Sequence, residues 1–229
     1  MIRAVLFDFD GTIANTVSAL REAVNLTMEH FGYPTHTDAD ILRFVNHGAR
    51  ELIRRAMPEP EAGDAKSVDR AYTYYNDVCM EKVFLHTKEP YPGIPELIAG
   101  LHEAYRIGVL SNKQDAFLFR LCKQVLPPGS FDATQGVVPG KPTKPDPYLP
   151  GLLAKRLGVL PEECVMVGDS DVDIATAANA GMKHIGVAWG FRSEEFLRAH
   201  GATCLARKPE DVVTYLSKME ISEKEKREC

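Results

Sequence analysis

Two aspartates two residues apart, Asp8 and Asp10 in "DFDGT" (Asp8–Thr12), follow an apolar run and precede a glycine. On a strand, residues spaced by two face the same way, so both carboxylates leave the strand end together. Acids this close do not both ionise easily unless a cation intervenes. Such a split of behaviour suits a nucleophile beside an acid–base group. Gly11 permits a sharp turn, and Thr12 adds a hydroxyl. A second acidic run, "GDSDVD" (Gly168–Asp173), follows another apolar stretch and again turns at a glycine. Strands of a parallel sheet open their carboxyl ends on one crevice, which brings Asp8, Asp10 and Asp169 together. Crowded carboxylates repel unless a hard cation sits among them, and Mg²⁺, which takes one or two carboxylates plus a substrate phosphate, suits best. Asp171 is assigned to a helix start, where the macrodipole favours acids. Asp173 is assigned to the site.

Two further stretches offer groups for an anion. In "LSNK" (Leu110–Lys113) Ser111 supplies a hydroxyl, and Asn112 is expected to start a helix whose free N–H groups attract anions. Alone this is a helix cap; beside a Mg²⁺ site it becomes a phosphate pocket. "VVPGKPTKPDPYLP" (Val137–Pro150) holds five prolines and two Lys-Pro pairs. Proline restricts the residue before it to extended conformations, so the loop can hold Lys141 or Lys144 in a fixed direction. These residues by themselves do not choose between the two.

The elements that must position these groups alternate. "IRAVLFDFD" (Ile2–Asp10), "YRIGVLSN" (Tyr105–Asn112), "CVMVGDS" (Cys164–Ser170), "KHIGVAWG" (Lys183–Gly190) and "ATCLA" (Ala202–Ala206) are short apolar runs closed by polar or glycine residues. Helical segments are expected between them: Lys113–Leu126, Pro147–Val159, Asp173–Gly181 with a C-cap glycine, and Glu210–Met219 after Pro209. The alternation predicts an α/β fold, a Rossmann-like doubly wound parallel sheet. Residues 15–90 break the rhythm. Val17, Leu20, Val24, Met28 and Phe31, and then Val68, Tyr72, Tyr75, Cys79 and Val83, recur at helical spacing, as do "DADILRFV" and "ARELIRRAM". The predicted organisation is therefore a core of residues 1–14 plus 91–221, an inserted all-helical cap over 15–90, and a charged tail over 222–229. Hinges fall near 14–16 and 90–93.

Bulk properties narrow the function. With 229 residues, 45% hydrophobic and 26% charged, the chain is long enough for a sizeable core. A net charge of −5 argues against nucleic acid as a partner. Five scattered cysteines without a CxxC pair form neither a disulfide framework nor a zinc site. No run reaches the ~18 apolar residues of a membrane span, and the chain enters a strand pattern at once. A cytoplasmic monomer or homodimer acting on a small phosphate ester, with no membrane partner, is expected.

Taken in order, "DFDGT", "LSN", the lysine of "KPDP" and "GDSDVD" resemble the four motifs of the haloacid dehalogenase superfamily, and the resemblance covers nearly the whole chain. "DFDGTIANT", "NHGARELIRRAM", "EPYPGIPELIAGL" and "VAWGFRSEEFLRAHGA" resemble its phosphoglycolate-phosphatase-like branch. The resemblance implies that Asp8 attacks phosphorus to give an aspartyl-phosphate. Asp10 would serve the leaving group and then water. Mg²⁺ would be held by Asp8, the Asp10 carbonyl and Asp169, with Asp173 outside or behind. Ser111, Asn112 and one lysine would hold the phosphoryl oxygens, with Gly11 and Thr12 lining the same pocket. The motif Lys-Pro-x-Pro fits Lys144 in full and Lys141 only in its first half, so it selects Lys144. In the cap, His47, Gly48 and Arg50 are candidate substrate contacts, Arg50 for a carboxylate. Asp10 argues against dehalogenase and phosphonate-hydrolase relatives, which lack that acid. Gly11-Thr12 disfavours a sugar phosphomutase, whose motif continues Gly-Val. A pyrophosphatase and a catalytically inactive binding module are the remaining alternatives.

Overall fold

The computed structural model describes residues 1–80 and 89–228. Val83, the last member of the predicted apolar stripe, and Cys229 lie outside the described residues. The chain divides into two compact units, Met1–Ala14 with Glu89–Cys229, and Asn15–Lys88.

The first unit is built on a six-stranded sheet in the order β3-β2-β1-β4-β5-β6. Its strands are β1 (Ala4–Phe7), β2 (Arg106–Gln114), β3 (Ala133–Val137), β4 (Cys164–Gly168), β5 (Lys183–Val187) and β6 (Leu205–Ala206). Every pairing is parallel. A parallel sheet needs apolar side chains on both faces, and β1 is buried at all four positions. On one face Ala4, Leu6, Leu110 and Met166 pack with Leu149 and Leu153. On the other, Val5, Phe7, Val109 and Val167 are fully buried. The chain passes from β1 outward to β3, then returns to β4 beside β1. Strand order therefore reverses between β1 and β4, the place where such sheets open a crevice at their carboxyl ends.

The elements of this unit depart from expectation at several places. In order after the second unit the helices are α5 (Ile94–His102), α6 (Asp115–Val125), α7 (Tyr148–Leu157), α8 (Asp171–Ala180), α9 (Glu194–Ala199) and α10 (Pro209–Glu228). Strand β2 runs through Ser111, Asn112 and Lys113 to Gln114, so Asn112 does not start a helix and α6 begins at Asp115. The extension forms because Gln114 pairs with Val137 across a register shift. Strand β3 has no counterpart among the predicted strands: its sequence, "ATQGV", lacks an apolar run. Helix α10 also continues past the expected Met219.

The second unit, among its described residues, is helical: α1 (Val17–His30), α2 (Asp38–Phe44), α3 (Ala49–Ala56) and α4 (Ala65–Tyr74), followed by a π-turn over Tyr75–Cys79. Thr37 and Asp40 close a capping box on α2, and Asp64 caps α4. Leu20, Val24, Met28, Val68, Tyr75 and Cys79 of the two predicted stripes are buried, whereas Tyr72 is half-buried and its neighbour Ala71 takes the inward place. No helix among the described residues is long and apolar enough to cross a membrane.

One strand residue sets a pH dependence. Both ring nitrogens of His184 on β5 are buried and make no hydrogen bond among the described residues. Burial pushes the imidazole down from 6.5 to about 4, against an upward pull from Asp173. The folded state thus refuses a proton that the unfolded chain accepts. This term contributes stability above about pH 6.5 and loses it as pH falls towards 4. Urea unfolding of wild type and His184→Leu at pH 7 and pH 5 isolates it from the carboxyl titrations common to both. Wild type should lose roughly 2 kcal/mol more than the variant over that interval. Parallel losses would show that His184 does not carry the effect.

Candidate active site

The end of β1 places the first carboxylate. The amide of Asp8 donates to the Val167 carbonyl at 2.9 Å, extending the β1–β4 ladder by one bond past Phe7. The chain then turns: Ile13 and Ala14 amides both donate to the Phe9 carbonyl, and the Gly11 amide donates to Ala14. Gly11 sits at φ +79°, and a Cβ there would come within 2.2 Å of Asp169 Oδ2. A Cβ on Gly190 would come within 2.3 Å of the Gly11 carbonyl. Glycine at these two positions lets three chain segments converge on one carboxylate.

That carboxylate, Asp169, is fully buried. Its Oδ2 accepts from the Phe191 amide at 2.6 Å, and its Oδ1 accepts from the Thr12 hydroxyl at 3.4 Å. Thr12 is itself fully buried, and its hydroxyl orients Asp169. Trp189 donates its indole N–H to the Thr12 carbonyl at 3.1 Å, fixing the same turn from behind.

Asp173 enters from α8. Ser170 caps that helix by accepting from the Asp173 amide, while Asp173 Oδ2 accepts from the Ser170 hydroxyl (2.6 Å) and amide (3.2 Å). Such a reciprocal cap is worth about 1 kcal/mol, and it aims Asp173 Oδ1 back at the sheet. The Lys144 ammonium meets it at 2.7 Å and donates to Asp8 Oδ1 at 2.8 Å. Lys144 is only 5% exposed. Its loop is held on two sides. Asn112 accepts from the Lys144 amide (2.8 Å) and donates to its carbonyl (3.1 Å), while Asn179 on α8 donates to the Pro145 carbonyl. The other lysine of the loop, Lys141, is exposed and lies 5.9 Å from the Tyr148 ring centre.

The match to the haloacid dehalogenase-like hydrolase model spans residues 5–187 and takes in Asp8, Asp10, Ser111, Lys144, Asp169 and Asp173. The chain belongs to the haloacid dehalogenase-like hydrolase family. It is 32% identical over 205 residues to a phosphoglycolate phosphatase of Chromobacterium violaceum, covering 86% of this chain and 90% of that one. It is 33% identical, with a TM-score of 0.81, to a solved candidate phosphoglycolate phosphatase from Lactobacillus delbrueckii subsp. bulgaricus, over 92% of this chain and 96% of that one. CbbY from Rhodobacter sphaeroides, solved with phosphate, is 26% identical with a TM-score of 0.68, over 91% and 95% of the two chains. Within the family this chain is a phosphatase.

The charge balance of this haloacid dehalogenase-like site is unequal. Asp8, Asp169 and Asp173 place carboxylate oxygens within 4.8 Å of one another, all buried, and one ammonium, that of Lys144, lies among them. Burial pushes Asp8 up to about 7; the Asp173 and Asp10 carboxylates add to the rise, and Lys144 opposes it. Burial likewise pushes Asp169 well above the usual carboxylate range, with Asp173 and Asp8 adding to it. For Lys144 burial alone would lower the value, but Asp173 and Asp8 outweigh it, so the ammonium stays charged. Three buried carboxyls therefore share one positive charge. An all-oxygen set short of positive charge fits a hard divalent cation.

The predicted residues separate into groups. Asp8, Asp169, Asp173 and Lys144 form one cluster, and Ser111, buried within β2, accepts from the Lys113 amide at 3.3 Å. Asp10 does not place its carboxylate in the cluster; it pairs with Lys113 at 3.1 Å. Asn112 turns its side chain to the Lys144 backbone, so it serves the lysine loop and not a helix start. His47, Gly48 and Arg50 belong to the second unit. There Gly48, at φ +85°, precedes α3, His47 is exposed, and Arg50 pairs with Asp69 at 2.7 Å. Lys113 and Tyr91 were not among the predicted site residues. Tyr91 donates its amide to Ile13, and burial followed by the Asp169 and Asp10 charges pushes its phenol up to about 12.

Proposed function

We propose that this phosphatase hydrolyses a small phosphomonoester, 2-phosphoglycolate foremost, through a phosphorylated Asp8 and with Mg²⁺ as cofactor. The observation that carries this reading is Lys144 bridging Asp8 and Asp173, with Asp169 in the same buried cluster. Lys144 occupies Asp8 Oδ1, which leaves Oδ2 to attack phosphorus. As that bond forms, the bond from phosphorus to the leaving oxygen breaks, and Asp10 gives the leaving oxygen a proton. Asp10 then takes a proton from water, the water oxygen bonds to phosphorus, and Asp8 is released with inorganic phosphate. Ser111 through its hydroxyl, Asn112 through its backbone and Lys144 through its ammonium hold the phosphoryl oxygens as charge moves onto them. Asp8, the Asp10 carbonyl and Asp169, with Asp173 behind, would hold Mg²⁺, which would supply the positive charge that lets a carboxylate approach a phosphate dianion.

The likeness to phosphoglycolate phosphatases supports a substrate with a carboxylate near the ester. Arg50, with His47 and Gly48, is the proposed contact for it. Its present partner Asp69 is exposed, and exposed ion pairs are worth at most about 1 kcal/mol. The test is phosphate release with Mg²⁺ from 2-phosphoglycolate, pyrophosphate and β-glucose 1-phosphate. The highest kcat/KM is expected for 2-phosphoglycolate. Isomerisation of the sugar phosphate without net phosphate release would replace this reading with a mutase, and preference for pyrophosphate with a pyrophosphatase.

A further inference from the structure

Each acid of "DFDGT" has its own ammonium. Asp8 has Lys144; Asp10 has Lys113, whose Nζ lies 3.1 Å from Asp10 Oδ1. The second pair is nearly as enclosed as the first, with side chains 9% exposed for Lys113 and 19% for Asp10. The lysine backbone is fixed where β2 meets β3. Its amide donates to Ser111 Oγ, and its carbonyl crowds Gly136, where a Cβ would come within 2.5 Å of it. The next turn is fastened by the Gly136 amide donating to Asp115 Oδ1 at 2.7 Å. The ammonium also lies 5.9 Å from the Phe117 ring centre. A lysine so enclosed has lost the rotamer freedom that makes surface lysines poor anchors.

An enclosed partner of this kind matters for Asp10. It stands close enough to Asp8 for the two charges to be felt, and repulsion would swing a half-buried carboxylate outward, away from the reacting oxygen. A general acid must sit within about 3 Å of the atom it protonates. We infer that Lys113 is a positioning residue for Asp10, holding the acid–base carboxylate in the direction from which it meets the leaving oxygen. The inference rests on the acid–base assignment of Asp10 made above.

The readout is the dependence of kcat/KM on leaving-group quality in a series of substituted phenyl phosphates, from p-nitrophenyl to unsubstituted phenyl. These substrates carry no second anion, so a lysine that merely bound a substrate carboxylate would not alter the trend. Proton donation flattens the dependence in wild type, because poor leaving groups gain most from it. Lys113→Met should lose roughly tenfold or more on phenyl phosphate and no more than about threefold on p-nitrophenyl phosphate, and Asp10→Asn should steepen the trend at least as far. Lys113→Arg should restore part of the flat trend. A uniform loss across the series in Lys113→Met, or a selective loss on 2-phosphoglycolate with the trend unchanged, overturns the inference while leaving the phosphatase reading intact. An unchanged trend in Asp10→Asn would overturn the acid assignment and the inference with it.

Discussion

Asp8→Asn should abolish phosphate release, lowering kcat by roughly 10⁴-fold or more, and should not destabilise the protein. The two halves of this expectation have one cause. Asp8 is a buried carboxyl that burial and its acidic neighbours push up to about 7, so its charged form is held against a desolvation penalty. An amide of the same shape removes that charge, and Lys144 keeps Asp173 as a partner at 2.7 Å. The midpoint of urea unfolding should therefore stay level or rise. Asp171→Asn serves as the control: Asp171 opens α8 and is outside the three-carboxylate set, so it should retain activity within about twofold. A direct readout is the acyl phosphate itself, which tritiated borohydride reduces to an alcohol; the tritium should appear at Asp8 in wild type and be absent from the variant. Full activity in Asp8→Asn would remove the nucleophile assignment.

The motifs were legible in the sequence because their geometry is local. "DFDGT" needs only a strand end and one glycine, and "GDSDVD" needs only a helix start whose capping box points Asp173 at the sheet. The β-branched runs of β1 and β4 declare their burial by composition alone. Strand β3 did not declare itself, because Gln135 and Gly136 become strand only through pairing with β2, and Gly136 is demanded by the Asp115 backbone rather than by its own neighbours. The same long-range pairing carried Asn112 out of a helix start and into a clamp on Lys144. Lys113 was missed for a related reason. A lysine after a strand resembles a solvated end, and its enclosure depends on Asp10, which is distant in sequence. The bond from Thr12 to Asp169 was not legible either, because it joins residues far apart in sequence.

Lys144→Met should cost about 10³-fold in kcat/KM, and Lys141→Ala should stay within about twofold of wild type. Lys144 is the ammonium bonded to Asp8 and Asp173, whereas Lys141 is exposed. A loss in Lys141→Ala with activity kept in Lys144→Met would mean that the motif had been aligned one lysine too late. Unlike Asp8→Asn, the Lys144 variant should also be less stable. It leaves three buried carboxyls with no ammonium among them, and breaking a buried ion pair from one side typically costs about 3–5 kcal/mol. The double variant separates this from a simple packing loss. If the destabilisation arises from uncompensated charge, removing the Asp8 carboxylate must reduce it, so Asp8→Asn with Lys144→Met should be more stable than the sum of the single changes predicts. Strict additivity in urea unfolding would mean that Lys144 acts through its aliphatic stem, and the argument that one ammonium balances this cluster would fail.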